Sequence, residues 1–259
     1  MAEYDARAAT YDTTRSASPS TMAALLKALG PAEGRSLLDI GGGTGNYALA
    51  LREAGFRLTL VDLSPAMLRQ AAGKLGPAGL VLGDALRLPF RQGAFDCAVS
   101  VNVSHHVPDW RRHIAEAKQA VGDGVFALQV NTRENLEAHW LFDYFSDAKE
   151  PTLAFHPQAE EVAAVMRSAG FREVRRQGYR FEDRADGTFE ALKHWPEAYL
   201  EPAYRRNTTF FRRLQADVER EGIDRLRADQ ASGGLQEVMA RYEPMLHAVG
   251  DSTVFMGAG

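Results

Sequence analysis

The chain has 259 residues, of which 45% are apolar and 25% are charged, as is ordinary for a globular protein of this size. Its formal net charge of −4 argues against a general affinity for nucleic acid or anionic membranes, and its single cysteine, Cys97, excludes an intrachain disulfide. The sequence has no signal-peptide pattern at its N-terminus and no run near the roughly 18 apolar residues of a membrane span, so we expect a cytoplasmic protein.

Short apolar runs alternate with helix-like segments from about residue 36 to residue 179. This alternation predicts an α/β fold with a parallel, doubly wound sheet. Ser64 followed by Pro65 is typical of a helix start, and Gly55 and Gly170 are typical of helix ends. The predicted strands are 36–40, 57–62, 79–84, 95–101, 124–130 and 172–179, and the helix-like segments between them are 46–55, 64–75, 109–121 and 158–170.

The alternation stops after the sixth predicted strand. Residues 182–250 are rich in Arg, Glu and aromatic residues, and Phe211, Leu214 and Val218 fall on one face if that stretch is helical. Residues 252–257 read as a last strand. We therefore predict three parts: an N-terminal helical segment at 1–35 that covers the ligand, a core at 36–181 and 251–259, and a helical cap at 182–250.

The stretch LLDIGGGTGNYALAL joins the first strand to a helix through a glycine loop. Such a loop brings backbone close to a ligand and aims helix N–H groups at it. The dinucleotide fingerprint would need a third glycine where Asn46 stands. Instead, Asp39 precedes three alternating glycines, Gly41, Gly43 and Gly45. An acid there repels phosphate and suits an ammonium group, so the loop predicts a zwitterionic or cationic nucleoside as ligand.

Three further stretches follow at successive strand ends: VDLSPAML, GDALRLPF and FDCAVSVNVSHHVPD. With these four landmarks in order, the chain resembles the class I S-adenosylmethionine-dependent methyltransferases of the small-molecule type. The resemblance covers about residues 4–180 and the last strand. It implies a Rossmann-like, mostly parallel sheet of seven strands whose last strand is antiparallel. It also implies S-adenosyl-L-methionine as the methyl donor and S-adenosyl-L-homocysteine as the product.

The resemblance also implies contacts to the donor. Asp39 and the glycine loop would hold the methionine portion, and Asp62 would accept both ribose hydroxyls. Leu63 would pack on the adenine, and Asp84 would accept from the adenine amino group. A tyrosine ahead of the first landmark closes over the donor in many relatives, and Tyr11 has that position. The implied set is Tyr11, Asp39, Gly41, Gly43, Gly45, Asp62, Leu63, Asp84, Ala85 near the adenine, and Asn102 near the sulfonium.

His105 and His106 follow the fourth strand and are the candidate catalytic residues. A histidine titrates near neutral pH, so it suits the base that a hydroxyl or acidic carbon would need. The alternative is a loop feature without a catalytic role.

Aromatic residues predict the acceptor pocket. Tyr4 lies seven residues before Tyr11, on the same face of a helix. The others could wall an apolar acceptor or form the core of the cap. Arginines at 206, 213 and 220 recur every seven residues and favour a solvated face over an anion site. The predicted substrate contacts are Tyr4, Trp140, Tyr144, Trp195, Tyr199 and Tyr204.

The sequence thus predicts an enzyme that methylates a small molecule in specialised metabolism, with O-, N- and C-methylation left open. It lacks the Asn/Asp-Pro-Pro-aromatic motif of amino-directed nucleic-acid methyltransferases and a basic stripe. We therefore expect a small-molecule acceptor, no nucleic-acid or membrane partner, no metal, and a monomer or homodimer. The alternatives are a binding protein that holds the nucleoside without turnover and an RNA methyltransferase.

Overall fold

The computed structural model describes residue 8 and residues 10–259. Within them, one sheet has the strand order β3-β2-β1-β4-β5-β7-β6. All neighbours are parallel except at β7, which is antiparallel to both β5 and β6. This confirms the predicted fold class. The strands are β1 (Ser36–Ile40), β2 (Arg57–Asp62), β3 (Leu80–Leu82), β4 (Cys97–Val101), β5 (Val125–Val130), β6 (Glu173–Tyr179) and β7 (Ser252–Ala258).

Helices pack on both faces of the sheet, and side-chain caps begin several of them. The hydroxyl of Ser64 accepts from the backbone N–H of Met67, and Asp109 accepts from that of Arg112. Within the described part of the chain, no helix combines the length and apolarity needed to cross a membrane. From residue 19 onward, the α-helices are α1 (Pro19–Leu29), α2 (Asn46–Glu53), α3 (Pro65–Leu75), α4 (Trp110–Val121), α5 (Arg133–Glu137), α6 (Lys149–Leu153), α7 (Ala159–Ser168), α8 (Pro202–Asn207), α9 (Thr209–Arg212), α10 (Ala216–Ser232) and α11 (Gly234–Val249).

The strand order brings together the loops that carry the candidate site residues. Strands β1 to β5 are parallel, so their carboxyl ends lie at one edge of the sheet. The order reverses between β1 and β4, whose outgoing loops separate to form a crevice. The glycine loop leaves β1 there, and Asn102 leaves β4.

A second hydrophobic cluster lies outside the sheet core, in a helical layer. It joins residues 136–153, which follow β5, to residues 189–235 of the predicted cap. The layer is therefore built from two chain segments. The predicted single helical face of Phe211, Leu214 and Val218 is wrong, because α9 ends at Arg212 and α10 begins only at Ala216. The intervening Gln215 has an extended backbone, which breaks the helix, and Val218 is exposed.

Candidate active site

A crevice of about 280 Å³ opens at the carboxyl ends of β1, β2 and β4. It continues from the glycine loop to the helical layer. A smaller cavity of about 50 Å³ shares some of its walls and is lined by Asp39. Gly45 lines neither; it begins α2 and packs against α3, where an added Cβ would lie 3.2 Å from the Ala71 side chain. The predicted residues that line the crevice are Tyr11, Gly41, Gly43, Asp62, Leu63, Asp84, Ala85, Asn102, His105 and His106.

The glycine loop is folded tightly over Asp39. Gly41 and Gly43 have φ values of +73° and +56°, which favour glycine over residues with a side chain. An added Cβ at Gly42 would lie 2.6 Å from both the Asp39 carboxylate and the Leu60 side chain. The loop therefore has no room for a side chain at Gly42, where its backbone packs directly against Asp39 and Leu60.

Gly42→Ala should therefore disturb the site where Asp39 and the loop meet. We expect the substitution to lower the free energy of unfolding by about 1–3 kcal/mol, because the buried Leu60 side chain must move. Chemical denaturation measures this change. Gly73→Ala is the matched control, since an added Cβ at this position in the last turn of α3 meets nothing within 4 Å. That control should stabilise slightly, because alanine favours helix over glycine. Equal effects of the two substitutions would contradict the packing described here.

The Asp62 carboxylate is oriented by two backbone donors. Its Oδ2 accepts from the Gly43 N–H at 2.9 Å, and its Oδ1 accepts from the Ser64 N–H at 2.8 Å. These bonds connect the end of β2 to the glycine loop and to the start of α3. These two bonds fix the direction of the carboxylate, which lines the crevice.

Asp39 is a buried acid with an unmatched oxygen. Its side chain is 1% exposed, and no donor from the described residues reaches its Oδ2. Burial and the neighbouring Asp62 carboxylate raise the pKa of Asp39 to about 7. An unpaired buried carboxylate oxygen is destabilising. The arrangement therefore suits a ligand that brings a cationic donor into the small cavity.

An ion pair that the sequence analysis missed completes this end of the crevice. Arg15 donates to Asp186 Oδ1 at 2.8 Å, and Tyr47 donates its hydroxyl to Asp186 Oδ2 at 2.8 Å. Arg15 Nε is buried without a hydrogen-bond partner among the described residues. No local pattern could reveal this pair, because its two members are 171 residues apart.

Asn102 and Asp84 have defined positions at the crevice wall. Asn102 has a φ of +57°, which is uncommon for a residue with a side chain and marks functional sites more often than other positions. Its backbone N–H donates to Gln129 Oε1 at 2.8 Å. Asp84 is exposed, and its Oδ1 accepts from the Leu86 N–H at 2.8 Å.

The far end of the crevice is aromatic. The His105 ring lies 3.8 Å from that of His106 and 5.6 Å from that of His156, between ring centres. Burial, together with these two neighbours, holds the pKa of His105 well below its ordinary value. Phe189 and Phe210 line the same end of the crevice, with their ring centres 4.5 Å apart. We call this end, lined by His105, His156, Phe189 and Phe210, the aromatic chamber. The sequence analysis missed the last three of these residues.

The aromatic residues predicted to contact the acceptor lie elsewhere. Trp140 and Tyr199 are buried in the helical layer, where the Trp140 indole donates to the Lys193 carbonyl and the Tyr199 hydroxyl to that of Phe189. Tyr144 is also buried, and its hydroxyl donates to Asp229. Trp195 and Tyr204 pack against the same cluster. None of these five residues lines the crevice. They pack in the core of the helical layer instead, which was the alternative interpretation of the aromatic residues. Tyr4 lies outside the described residues.

The three arginines of the predicted solvated face, Arg206, Arg213 and Arg220, are all exposed, as expected. Arg213 also lines the crevice, and its guanidinium lies 4.1 Å from the centre of the Phe155 ring. It differs from the other two because it follows the short helix α9, whose Phe210 faces the chamber.

Comparisons with known proteins agree with this geometry. Residues 38–128 match a family model described as a methyltransferase domain. The chain is 35% identical over 150 residues to a malonyl-[acyl-carrier protein] O-methyltransferase of Geobacter sulfurreducens, covering 53% of this chain and 56% of that protein. It is 33% identical over 143 residues to 2-methyl-6-phytyl-1,4-hydroquinone methyltransferase 2 of Oryza sativa, covering 54% of this chain and 39% of that one. The chain thus spans about half the length, or less, of these two curated relatives.

A solved structure resembles the fold over almost the whole chain. It is described as a putative methyltransferase from an antibiotic biosynthesis pathway of Anabaena variabilis. The TM-score is 0.79 at 24% sequence identity, and the match covers 95% of this chain and 99% of that one. The family match covers β2, β4 and most of β1, with the loops that follow them, whereas His156, Phe189 and Phe210 of the crevice lie outside it. Residues 38–128 therefore form a methyltransferase domain, and the chain as a whole has the fold of this solved structure.

Proposed function

We propose that the protein transfers the methyl group of S-adenosylmethionine to a small molecule that binds in the aromatic chamber. The observation that carries this proposal is the continuity of the crevice. One cavity is lined by Asp62 and Asp84 at the donor end and by His105 and Phe210 at the other end. Methyl transfer is a direct displacement that requires the two reactants side by side, which a single continuous crevice provides.

Residues at the donor end fit S-adenosylmethionine. The unmatched Asp39 oxygen suits the ammonium of its amino-acid portion, and the nearby Arg15 suits the carboxylate. Asp62 suits the ribose hydroxyls, because an oriented carboxylate accepts two of them. Leu63 is an apolar residue that is 48% exposed in the crevice wall, which suits an adenine face. When bound, this donor supplies an electrophilic methyl group on a sulfonium.

The protein itself positions the acceptor and encloses the reacting groups. The helical layer covers the aromatic chamber with Phe189 and Phe210, which are each 6% exposed. This arrangement keeps water from the reacting groups and holds the acceptor against the donor. His105 lies in the chamber wall, whereas His106 is exposed at its edge. We therefore propose that His105, of the two candidate histidines, contacts the acceptor.

The acceptor is proposed to be a small molecule of specialised metabolism. Two curated relatives are named for malonyl-[acyl-carrier protein] and for a hydroquinone, and a structural relative is named for antibiotic biosynthesis. The chamber supports this class, because it is enclosed and mostly apolar, without a basic track for a polynucleotide.

Methyl-labelled S-adenosylmethionine and a panel of phenols, amines and carboxylic acids test the proposal. We expect one or more panel members to gain the labelled methyl group, with an equal amount of S-adenosylhomocysteine formed, as measured by mass spectrometry. Tight binding of S-adenosylhomocysteine without transfer to any acceptor class would instead identify a binding protein. Transfer to RNA alone would contradict the small-molecule proposal.

A further inference from the structure

His156 offers the chamber a hydrogen-bond acceptor of fixed position. Its Nδ1 lies 3.0 Å from the Asn131 carbonyl oxygen, which can only accept, so Nδ1 carries the ring proton. Burial lowers the pKa of His156 to about 4, so the ring carries one proton near neutral pH. Nε2 must then be the unprotonated nitrogen. Among the described residues no donor bonds to this nitrogen, and His156 lines the crevice.

The rings around His156 suit a flat aromatic molecule. The His105 ring stacks on that of His156 with an angle of 29° between their planes. On the side of the helical layer, Phe189 and Phe210 form a tilted pair that lines the same chamber. Aromatic pairs gain from offset-stacked or edge-to-face contacts beyond the burial of their area, so a further ring suits this lining.

The lining of the chamber offers an anion little free positive charge. Arg15, the largely buried cation among the described lining residues, is paired with Asp186. Glu190 lines the crevice and is 6% exposed, and burial raises its pKa, which favours its neutral form. His105 and His156 are neutral, so neither attracts a negative charge. The nearby cation, Arg213, is exposed and stacks over Phe155, which is itself 54% exposed at the opening. A neutral acceptor therefore fits the interior better than a carboxylate or phosphate.

We propose that the acceptor is a neutral hydroxyl-bearing aromatic compound whose hydroxyl donates to Nε2 of His156. This inference rests on the proposed function and adds the substrate class. It makes His156 a specificity-determining residue: a compound that lacks the hydroxyl leaves Nε2 buried without a partner, which weakens its binding.

Calorimetric titration of the protein saturated with S-adenosylhomocysteine tests this class, with 1-naphthol, 1-methoxynaphthalene and 1-naphthoate as probes. A fragment of this size binds a matched pocket at about millimolar concentration or better. We expect 1-naphthol to bind about tenfold more tightly than its methyl ether, as one buried hydrogen bond requires. We expect 1-naphthoate to bind more weakly than 1-naphthol.

Variants of His156 distinguish the effect of its hydrogen bond from the effect of its packing. His156→Phe should remove the preference for naphthol over the ether, whereas His156→Gln should retain part of it, because the amide oxygen can accept. His247→Phe, on the exposed face of α11, is the control and should change nothing. S-adenosylhomocysteine binding should be equal in all of these proteins.

Several results would overturn the inference. They are equal binding of naphthol and its ether, tighter binding of naphthoate, an unchanged preference in His156→Phe, or no naphthol binding while S-adenosylhomocysteine binds. Failure to bind S-adenosylhomocysteine at all would overturn the proposed function itself, so the two failures are distinguishable.

Discussion

Asp62→Ala is expected to weaken S-adenosylhomocysteine binding by about 100-fold. The carboxylate of Asp62 is held by the N–H groups of Gly43 and Ser64, so it faces the crevice in a fixed direction. We propose that it accepts both ribose hydroxyls, and two hydrogen bonds to a charged acceptor contribute about 3 kcal/mol together. Such a loss corresponds to about two orders of magnitude in the dissociation constant, which calorimetry measures directly.

Two further variants, Asp62→Asn and Asp123→Ala, test whether the loss of binding is specific to the Asp62 carboxylate. The Asp62→Asn variant would keep the shape of the side chain but replace one acceptor oxygen with a donor, so binding should still fall by at least about tenfold. Asp123 is an exposed acid between α4 and β5, paired with Arg172, and its removal should leave binding unchanged. If Asp62→Ala binds as tightly as wild type, the donor does not contact this carboxylate and the proposed site is wrong.

Asp39→Asn is expected to stabilise the ligand-free protein while weakening its binding of S-adenosylhomocysteine. The pKa of Asp39 is raised to about 7 in the folded protein by burial and by Asp62, against an ordinary value near 4. Between these values the folded state keeps a proton that the unfolded state has lost. The contribution of Asp39 to the free energy of unfolding is therefore most favourable below about pH 4 and falls as pH rises to 7, by about 4 kcal/mol in total.

Asparagine has no such titration, so the stabilisation by Asp39→Asn should be largest above pH 7 and small at pH 5. Thermal unfolding at pH 5 and pH 8 measures this difference, with Asp123→Asn as the exposed control. Binding should change in the opposite direction, because the amide cannot pair with an ammonium. In the wild type, affinity should decrease as pH falls below 7, since Asp39 becomes neutral. A pH-independent difference in stability would contradict the burial of a titrating acid.

Local patterns predicted the strands and the loops that follow them. The alternation of apolar runs defines β1, β2 and β4, so Asp39, Asp62 and Asn102 could be assigned to strand ends from the sequence alone. The structure brings Asp62 and Asn102 to one crevice and Asp39 to the small cavity beside it. Their proposed contacts to the donor stay predictions.

The acceptor chamber could not be predicted in the same way. Its wall combines His156, Phe189 and Phe210, which come from separate loops and short helices of the helical layer. Large aromatic residues are obvious candidates for a binding pocket in a sequence. Trp140 and Tyr199 are completely buried instead, because burial of their large apolar surface stabilises the fold. Only tertiary packing decides which rings of an aromatic-rich segment form a core and which form a wall.

The position of β7 has a consequence for how the protein is made. β6 pairs with no strand other than β7 in the described part of the chain, and β7 lies between β5 and β6. During translation, strands β1 to β5 are complete long before the ribosome reaches Ser252–Ala258, but β6 must wait through the synthesis of α8 to α11. Throughout that interval the backbone groups of β6 and the exposed edge of β5 are open to pairing with other nascent chains. The helical segment between β6 and β7 therefore delays closure of the sheet.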